Sequence, residues 1–303
     1  MSSVTSRIKE IKQPRGGYIK PSFFAATTFD DGVFLADNEN VHASIVGMVV
    51  DYMTRFLMTE DANKAFEISL RGYSIRVAFL SRSISEEDIE RSGILIQNET
   101  LSIEEARGFL VVENDGENGA FSLIGKIKGL DDESIIAACK VAAYDIWLRD
   151  FDYAMFIESK KREYTLPNEE TIRNIRILVQ RSLSFWKKTG PIIAEGFTFN
   201  EKDDNGNNIG LGGYTRTVDS GDGDYLTDDT VWDFKVSKSA PTNKHTLQLL
   251  MYYIMGKHSR AKVFDNIKKL GIFNPRLNTM YVINVSDISE DIIRAVENEV
   301  ICY

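Results

Sequence analysis

The chain has 303 residues, of which 43% are apolar and 11% aromatic, and its formal net charge is −9. A chain of this length and composition buries a substantial core, as one large domain or two modest ones. It contains no run of about 18 apolar residues and no apolar N-terminal leader, so we expect a cytoplasmic protein without a membrane partner.

The chain is predicted to be mainly helical up to about residue 190. Apolar residues recur at helical spacing, and acidic residues stand in the first turn of two segments. The segment 60–190 is too rich in apolar residues for a disordered linker, so we expect a helical subdomain. It either caps a functional site and narrows access to it or only completes the hydrophobic core. The predicted helices are 41–59, 62–70, 131–156 and 167–188.

Short strands separated by Gly, Asn and Asp turns are predicted after residue 190, and the clearest turn is 203–208. This order of elements indicates an α/β core with a mixed central sheet flanked by helices. The predicted strands are 192–199, 211–218, 223–227 and 230–236, followed by helices at 242–258 and 261–270, a strand at 278–285 and a closing helix from Ser289.

The candidate site lies in the predicted strands 223–227 and 230–236. Strand side chains alternate between two faces, so Asp233 and Lys235 share a face. An acidic turn joins the two strands into a hairpin, which brings Asp224 beside Asp233. Two carboxylates suit a hard cation such as Mg²⁺ or Mn²⁺, and a nearby lysine orients the attacking water in phosphodiester hydrolysis.

A polar pair on the following helix extends this pattern. Gln248 and Tyr252 lie one turn apart on one face of the predicted helix 242–258. We expect that face to reach back to the carboxylates.

Together, Gly221-x-x-Asp224, Asp233-x-Lys235 and Gln248-x-x-x-Tyr252 resemble the PD-(D/E)XK nuclease superfamily, in particular its RecB-like and Cas4-like branch, in which these elements occur in this order. The resemblance covers roughly Glu195 to Gly256. It implies an α/β, restriction-endonuclease-like fold, with a mixed central sheet flanked by helices and a large helical insertion. The implied domains are 1–59, an N-terminal segment with the first core helix; 60–190, a helical insertion or cap; and 191–303, the nuclease core.

The resemblance also implies metal-dependent hydrolysis of DNA. Asp224, Asp233 and the backbone carbonyl of Phe234 are the predicted ligands of Mg²⁺ or Mn²⁺. Lys235 is predicted to position the attacking water and to stabilise the charge that grows in the transition state. The polar pair Gln248 and Tyr252 is predicted to bind the DNA backbone or to hold the lysine in place. No base-reading element is recognisable, so no sequence specificity is predicted.

Two further acidic residues are candidate ligands of the same ion. Asp51, in segment 44–57, stands where the branch commonly has histidine or glutamate on a helix introduced by glycine. It is either such a ligand or the i,i+4 partner of Arg55 on a polar helix face. Glu195, in the apolar stretch 191–197, is either an additional ligand, a contact of the site lysine, or an ordinary exposed strand residue.

The chain differs from the Cas4-like pattern in its cysteines. Cys139 and Cys302 are its only two, too few for a disulfide framework or a four-cysteine iron–sulfur cluster, so no such cluster is expected. The histidines, His42, His245 and His258, lack zinc spacing and are expected to be ordinary surface or core residues. No Gly-x-x-x-x-Gly-Lys-Ser/Thr loop occurs, so no nucleotide is expected.

DNA is the predicted partner despite the negative net charge, because binding depends on where basic residues cluster. Basic clusters occur at 7–20, 160–162 and 187–188, although stretches this short are commonly just solvated. RecB-like nuclease domains often work beside a helicase, so a helicase/ATPase or a defence-system protein encoded nearby is a candidate protein partner. The expected function is a DNA exonuclease or endonuclease in repair, recombination or defence against phage and plasmids. The alternative is a non-catalytic or partner-activated nucleic-acid-binding subunit of a larger complex.

Overall fold

A computed structural model describes the chain at residues 2–97, 101–160, 164–203 and 207–303. The chain divides into two compact units, one formed by Met1–Val33 with Arg181–Tyr303 and the other by Phe34–Gln180. These bounds differ from the predicted boundaries after residues 59 and 190. The predicted first core helix groups with the second unit, where it packs against the helix Asp132–Ala142.

The chain begins with elements of the first unit and then passes into the second. The N-terminal elements are β1 (Ser2–Ser3), α1 (Val4–Glu10) and β2 (Ala25–Thr28). The second unit is built from helices, the last of which continues past its boundary: α2 (Ala43–Thr59), α3 (Ala62–Ala65), α4 (Glu67–Ser81), α5 (Glu86–Ser92), α6 (Ile94–Gln97), α7 (Ile103–Asp115), α8 (Ala120–Ile124), α9 (Asp132–Ala142), α10 (Ile146–Arg149), α11 (Phe151–Ser159) and α12 (Glu169–Thr189).

Side-chain caps determine where several of these helices begin. Ser85 and Ser102 each accept the backbone N–H three residues further on and complete a capping box at the start of α5 and α7. The single helix predicted at 131–156 is wrong, because the structure has α9, α10 and α11 there. The backbone leaves the helical conformation at Asp150, where φ is −151°, and the Asp150 side chain caps α11.

The rest of the first unit contains a mixed sheet. Six strands pair in the order β2-β10-β9-β8-β7-β3, and all neighbours are antiparallel except β8 and β9, which are parallel. The prediction of an α/β core with a mixed central sheet is therefore confirmed. The remaining elements are β3 (Ala194–Phe197), β4 (Glu201–Lys202), β5 (Asn208–Gly210), β6 (Val218–Ser220), β7 (Gly223–Leu226), β8 (Thr230–Phe234), α13 (Asn243–His258), β9 (Lys269–Asn274), β10 (Thr279–Asn284) and α14 (Glu290–Ala295), which continues as a π-helix to Ile301.

Two predicted elements near the sheet are corrected. The helix predicted at 261–270 is instead a single 3₁₀ turn at Lys262–Phe264 followed by β9. Of the strand predicted at 211–218, only Val218 lies in a strand. The predicted turn at 203–208 and the basic cluster at 160–162 lie partly outside the described residues.

The two faces of the sheet carry different cores. Leu226, Val231 and Ile272 pack with the apolar residues of α13 on one face. The other face is aromatic, and the ring of Phe185 stacks on Phe273 at 3.9 Å and meets Trp232 edge-on at 5.0 Å. None of the described helices combines the length and apolar content that a membrane span requires.

Candidate active site

The hairpin β7–β8 places two acids on one face of the sheet. Tyr225 pairs with Trp232 and Leu226 with Val231, and continuing this register places Asp224 opposite Asp233, one step beyond the end of the ladder. By strand alternation both acids lie on the face that packs against α13. Gly221, just before β7, has φ +140°, a backbone conformation that other residues rarely adopt.

Asp233 is the more deeply buried of the two acids, with only 1% of its side chain exposed. Its Oδ1 accepts a hydrogen bond of 2.7 Å from Nζ of Lys235, whose side chain is 25% exposed. Among the described residues, no donor lies within hydrogen-bonding distance of Asp233 Oδ2, which is also buried. Such an oxygen is costly unless something else compensates its charge.

The polar face of α13 lies beside these acids. Gln248 Nε2 donates a hydrogen bond of 2.7 Å to the hydroxyl of Tyr252, which is only 4% exposed. Burial raises the pKa of Tyr252 well above its ordinary value, and the nearby carboxylates of Asp224 and Asp233 raise it further. The structure therefore brings together the five side chains predicted to act in catalysis: Asp224, Asp233, Lys235, Gln248 and Tyr252.

His245, in the first turn of α13, also belongs to this neighbourhood. The pKa of His245 is lowered, and burial is the largest cause. The Lys235 ammonium lowers it further, whereas the Asp233 carboxylate opposes this shift. From the sequence, this histidine was expected to be an ordinary surface or core residue. The only sequence signal was its position three residues before Gln248 and seven before Tyr252.

The donor set fits a hard divalent cation. Within the described ranges, no three His, Cys, Asp or Glu side chains form a ready-made metal centre. However, Mg²⁺ commonly takes one or two carboxylates and keeps several water ligands. Two neighbouring carboxylates, one with a buried oxygen to which no described residue donates, match that requirement. Asp224, Asp233 and the carbonyl of Phe234 are the residues that would hold the ion.

The register does not bring Glu195 to this face. Glu195 pairs directly with Tyr225 in the β3–β7 ladder, and directly opposed residues of antiparallel strands point to the same side. Tyr225 belongs to the aromatic face, where its ring contacts Trp186 at 4.6 Å. Glu195 is therefore on the side of the sheet opposite Asp224, and its role as a ligand stays a prediction.

Asp51 lies in α2, in the second compact unit. Its Oδ2 is 2.9 Å from Nη2 of Arg55, one helical turn away, and each side chain is 18% exposed. This is the ion pair that the sequence offered as the alternative to a ligand role. The ligand role of Asp51 stays a prediction.

Comparison with protein-family models, curated proteins and solved structures found no match to this chain.

Proposed function

We propose that the protein is a Mg²⁺- or Mn²⁺-dependent deoxyribonuclease of the PD-(D/E)XK type, RecB-like, with a restriction-endonuclease-like fold. One observation carries the proposal: buried Asp233 shares a sheet face with Asp224, is tied through one oxygen to Lys235, and has no protein donor for the other oxygen within the described residues. A salt bridge with a purely structural role does not explain why that oxygen is buried without a donor, whereas a bound cation would compensate its negative charge.

The residues of the site fit the tasks of phosphodiester hydrolysis. Asp224, Asp233 and the Phe234 carbonyl would hold the ion, which when bound would polarise a phosphoryl oxygen and lower the pKa of a water. Lys235, held by Asp233, orients the attacking water and stabilises the negative charge that grows on the phosphate.

Tyr252 contributes a proton donor. A phenol keeps its hydrogen at neutral pH, and the raised pKa of Tyr252 moves its loss still further from that range. Because its oxygen accepts from Gln248, the hydroxyl is held in one place. The phenol hydrogen then donates to the DNA backbone. Gln248 acts by positioning this hydroxyl.

A cleavage assay tests the proposal. The purified protein is incubated with labelled single-stranded, double-stranded and circular DNA in Mg²⁺, Mn²⁺ or EDTA. We expect cleavage with either metal, none in EDTA, and none from Asp233→Asn under any condition. Loss of circular DNA identifies an endonuclease, and loss of linear DNA alone identifies an exonuclease. Equal cleavage in EDTA would contradict the proposal.

A second candidate is a nucleic-acid-binding subunit that is non-catalytic or becomes active only with a partner such as a helicase. The small carboxylate set favours it, because within the described part of the chain no third His, Cys, Asp or Glu completes a metal-ligand group with the pair. This candidate predicts that the isolated protein binds labelled DNA in the same assay without cutting it. If a helicase or defence gene lies next to the gene of this protein, its product is the partner to add to the cleavage assay.

A further inference from the structure

His245 stands on the face of α13 that carries Gln248 and Tyr252. The three residues occupy positions i, i+3 and i+7, which lie on one side of a helix. The partly buried imidazole is also within electrostatic range of Lys235 and Asp233, the pair at the centre of the candidate site. Two independent features, helix position and charge environment, therefore place His245 at this site.

The hydrogen bonding of His245 decides which ring nitrogen carries its proton. Nδ1 accepts the backbone N–H of Thr242, the N-cap of α13, at 3.2 Å. The neutral ring must therefore carry its hydrogen on Nε2. Nε2 meets no protein acceptor in the described ranges, and it is not one of the buried polar atoms. Nε2 is therefore accessible, at least in part, to an acceptor that is not part of the protein.

We infer that His245 is a further substrate-contacting residue of this site, whose Nε2–H donates a hydrogen bond to a phosphate oxygen of the bound DNA. The inference rests on the proposed nuclease function. A neutral donor suits this position because Lys235 already supplies a positive charge, and an imidazolium beside it would be repelled. The competing explanation is that His245 only caps α13 through Nδ1.

Two near-isosteric substitutions separate these explanations. His245→Asn keeps an acceptor near the place of Nδ1 but has no donor at the place of Nε2, whereas His245→Gln keeps a donor near Nε2 but loses the cap. We expect His245→Asn to melt like the wild type but to lose about tenfold to a hundredfold in kcat/KM on a DNA oligonucleotide with Mg²⁺, the loss typical of one hydrogen bond to a charged oxygen. His245→Gln should melt at a lower temperature yet cleave within about threefold of the wild type.

His42 offers a control outside the site, because its Nδ1 also accepts a backbone N–H at a helix start, that of Ser44, with His42 itself as the N-cap of α2. His42→Asn should leave cleavage unchanged. If His245→Asn cleaves like the wild type, the inference is overturned and the nuclease proposal stands. If the wild type neither cleaves nor binds labelled DNA in Mg²⁺, the nuclease proposal fails and this inference fails with it.

Should His245→Asn not fold, the comparison of His245→Gln with His245→Ala decides the matter. Activity retained by the glutamine variant and lost by the alanine variant supports the inference. Equal losses in both variants overturn it.

Discussion

Asp224 Oδ2 accepts a hydrogen bond of 2.7 Å from the backbone N–H of Phe234. Phe234 lies between Asp233 and Lys235, and the ladder between β7 and β8 ends at the pair Tyr225–Trp232. The acid of one strand is thus fastened to the Asp-x-Lys segment of the other, just where backbone pairing between the two strands stops. Asp224 therefore aligns the site as well as supplying charge to it.

This double role predicts different outcomes for two substitutions of Asp224. Asp224→Asn should abolish cleavage but keep the wild-type stability, because an amide oxygen still accepts the Phe234 N–H. Asp224→Ala should abolish cleavage and lower the free energy of unfolding by about 1 kcal/mol. Urea denaturation and the cleavage assay measure both. Wild-type activity in Asp224→Asn would remove this residue from the metal site.

Asp233→Asn should abolish cleavage without unfolding the protein. Removing one of two neighbouring negative charges relieves repulsion, which offsets the weakened contact with Lys235, whose Nζ can still donate to the amide oxygen. We therefore expect a melting temperature close to that of the wild type. Asp228→Asn is the matched control, because Asp228 is an exposed acid in the turn between β7 and β8. That control should cleave normally, and a cleaving Asp233→Asn variant would refute the site.

Lys235→Ala should separate chemistry from metal binding. The substitution removes the water-orienting charge but leaves both carboxylates, so Mn²⁺ binding measured by calorimetry should persist while cleavage falls about 10²-fold or more. Lys238→Ala, which alters an exposed lysine of the following loop, should affect neither. If Mn²⁺ affinity disappears together with activity, Lys235 has a structural role instead.

Asp51→Ala tests whether the helical unit supplies a ligand. A ligand role predicts at least a tenfold loss of cleavage, whereas an i,i+4 pair with Arg55 is worth only about 0.3–0.5 kcal/mol. Arg55→Ala breaks the same ion pair and should keep cleavage near the wild-type rate. Equal rates in the two variants would assign Asp51 to the ion pair alone.

Asp31 should make the first unit sensitive to acid. Its carboxylate accepts from Nε and Nη2 of Arg181 at 2.6 and 2.9 Å, and the Arg181 side chain is only 8% exposed. These hydrogen bonds, more than any other cause, hold the pKa of Asp31 below the ordinary 3.8. The folded-state pKa is lowered, so the stabilisation is complete above the unfolded-state pKa and is lost as pH falls through the folded-state value.

Asp31→Asn should therefore lower the free energy of unfolding by about 1 kcal/mol at pH 7, a value reduced by the partial exposure of Asp31. The difference from the wild type should shrink below about pH 4. Urea denaturation between pH 7 and about pH 2.5 measures it. Asp30→Asn alters an exposed neighbouring acid and serves as the control. A difference that does not change with pH would show that the Asp31 charge is not responsible.

The local chemistry of the site was determined by the sequence alone. Asp233 and Lys235 share a face because strand side chains repeat every two residues, and Gln248 and Tyr252 share a face because helical side chains repeat every 3.6. The structure has these elements as β8 and α13, each within two residues of its predicted bounds. Such periodicities depend on the backbone of one segment and need no knowledge of its neighbours.

Other features were decided only by the tertiary structure. Strand β9 lies between β8 and β10 and has Leu270, Ile272 and Phe273 buried, so its sequence lacks the polar alternation that marks a strand with one exposed face. At Gly271 an added Cβ would lie 2.3 Å from the ring of Trp232, a requirement for glycine that arises only once β8 and β9 pair.

The pairing of β2 with β10 joins Ala25 to Val282, and the β3–β7 register sends Glu195 to the face opposite Asp224. His245 likewise became part of the site only when α13 packed beside β8. Each of these outcomes depends on which segments distant along the chain bury their surfaces together. The free energy that favours one pairing of segments over another comes from the whole core. Local periodicity within one segment therefore does not determine the pairing.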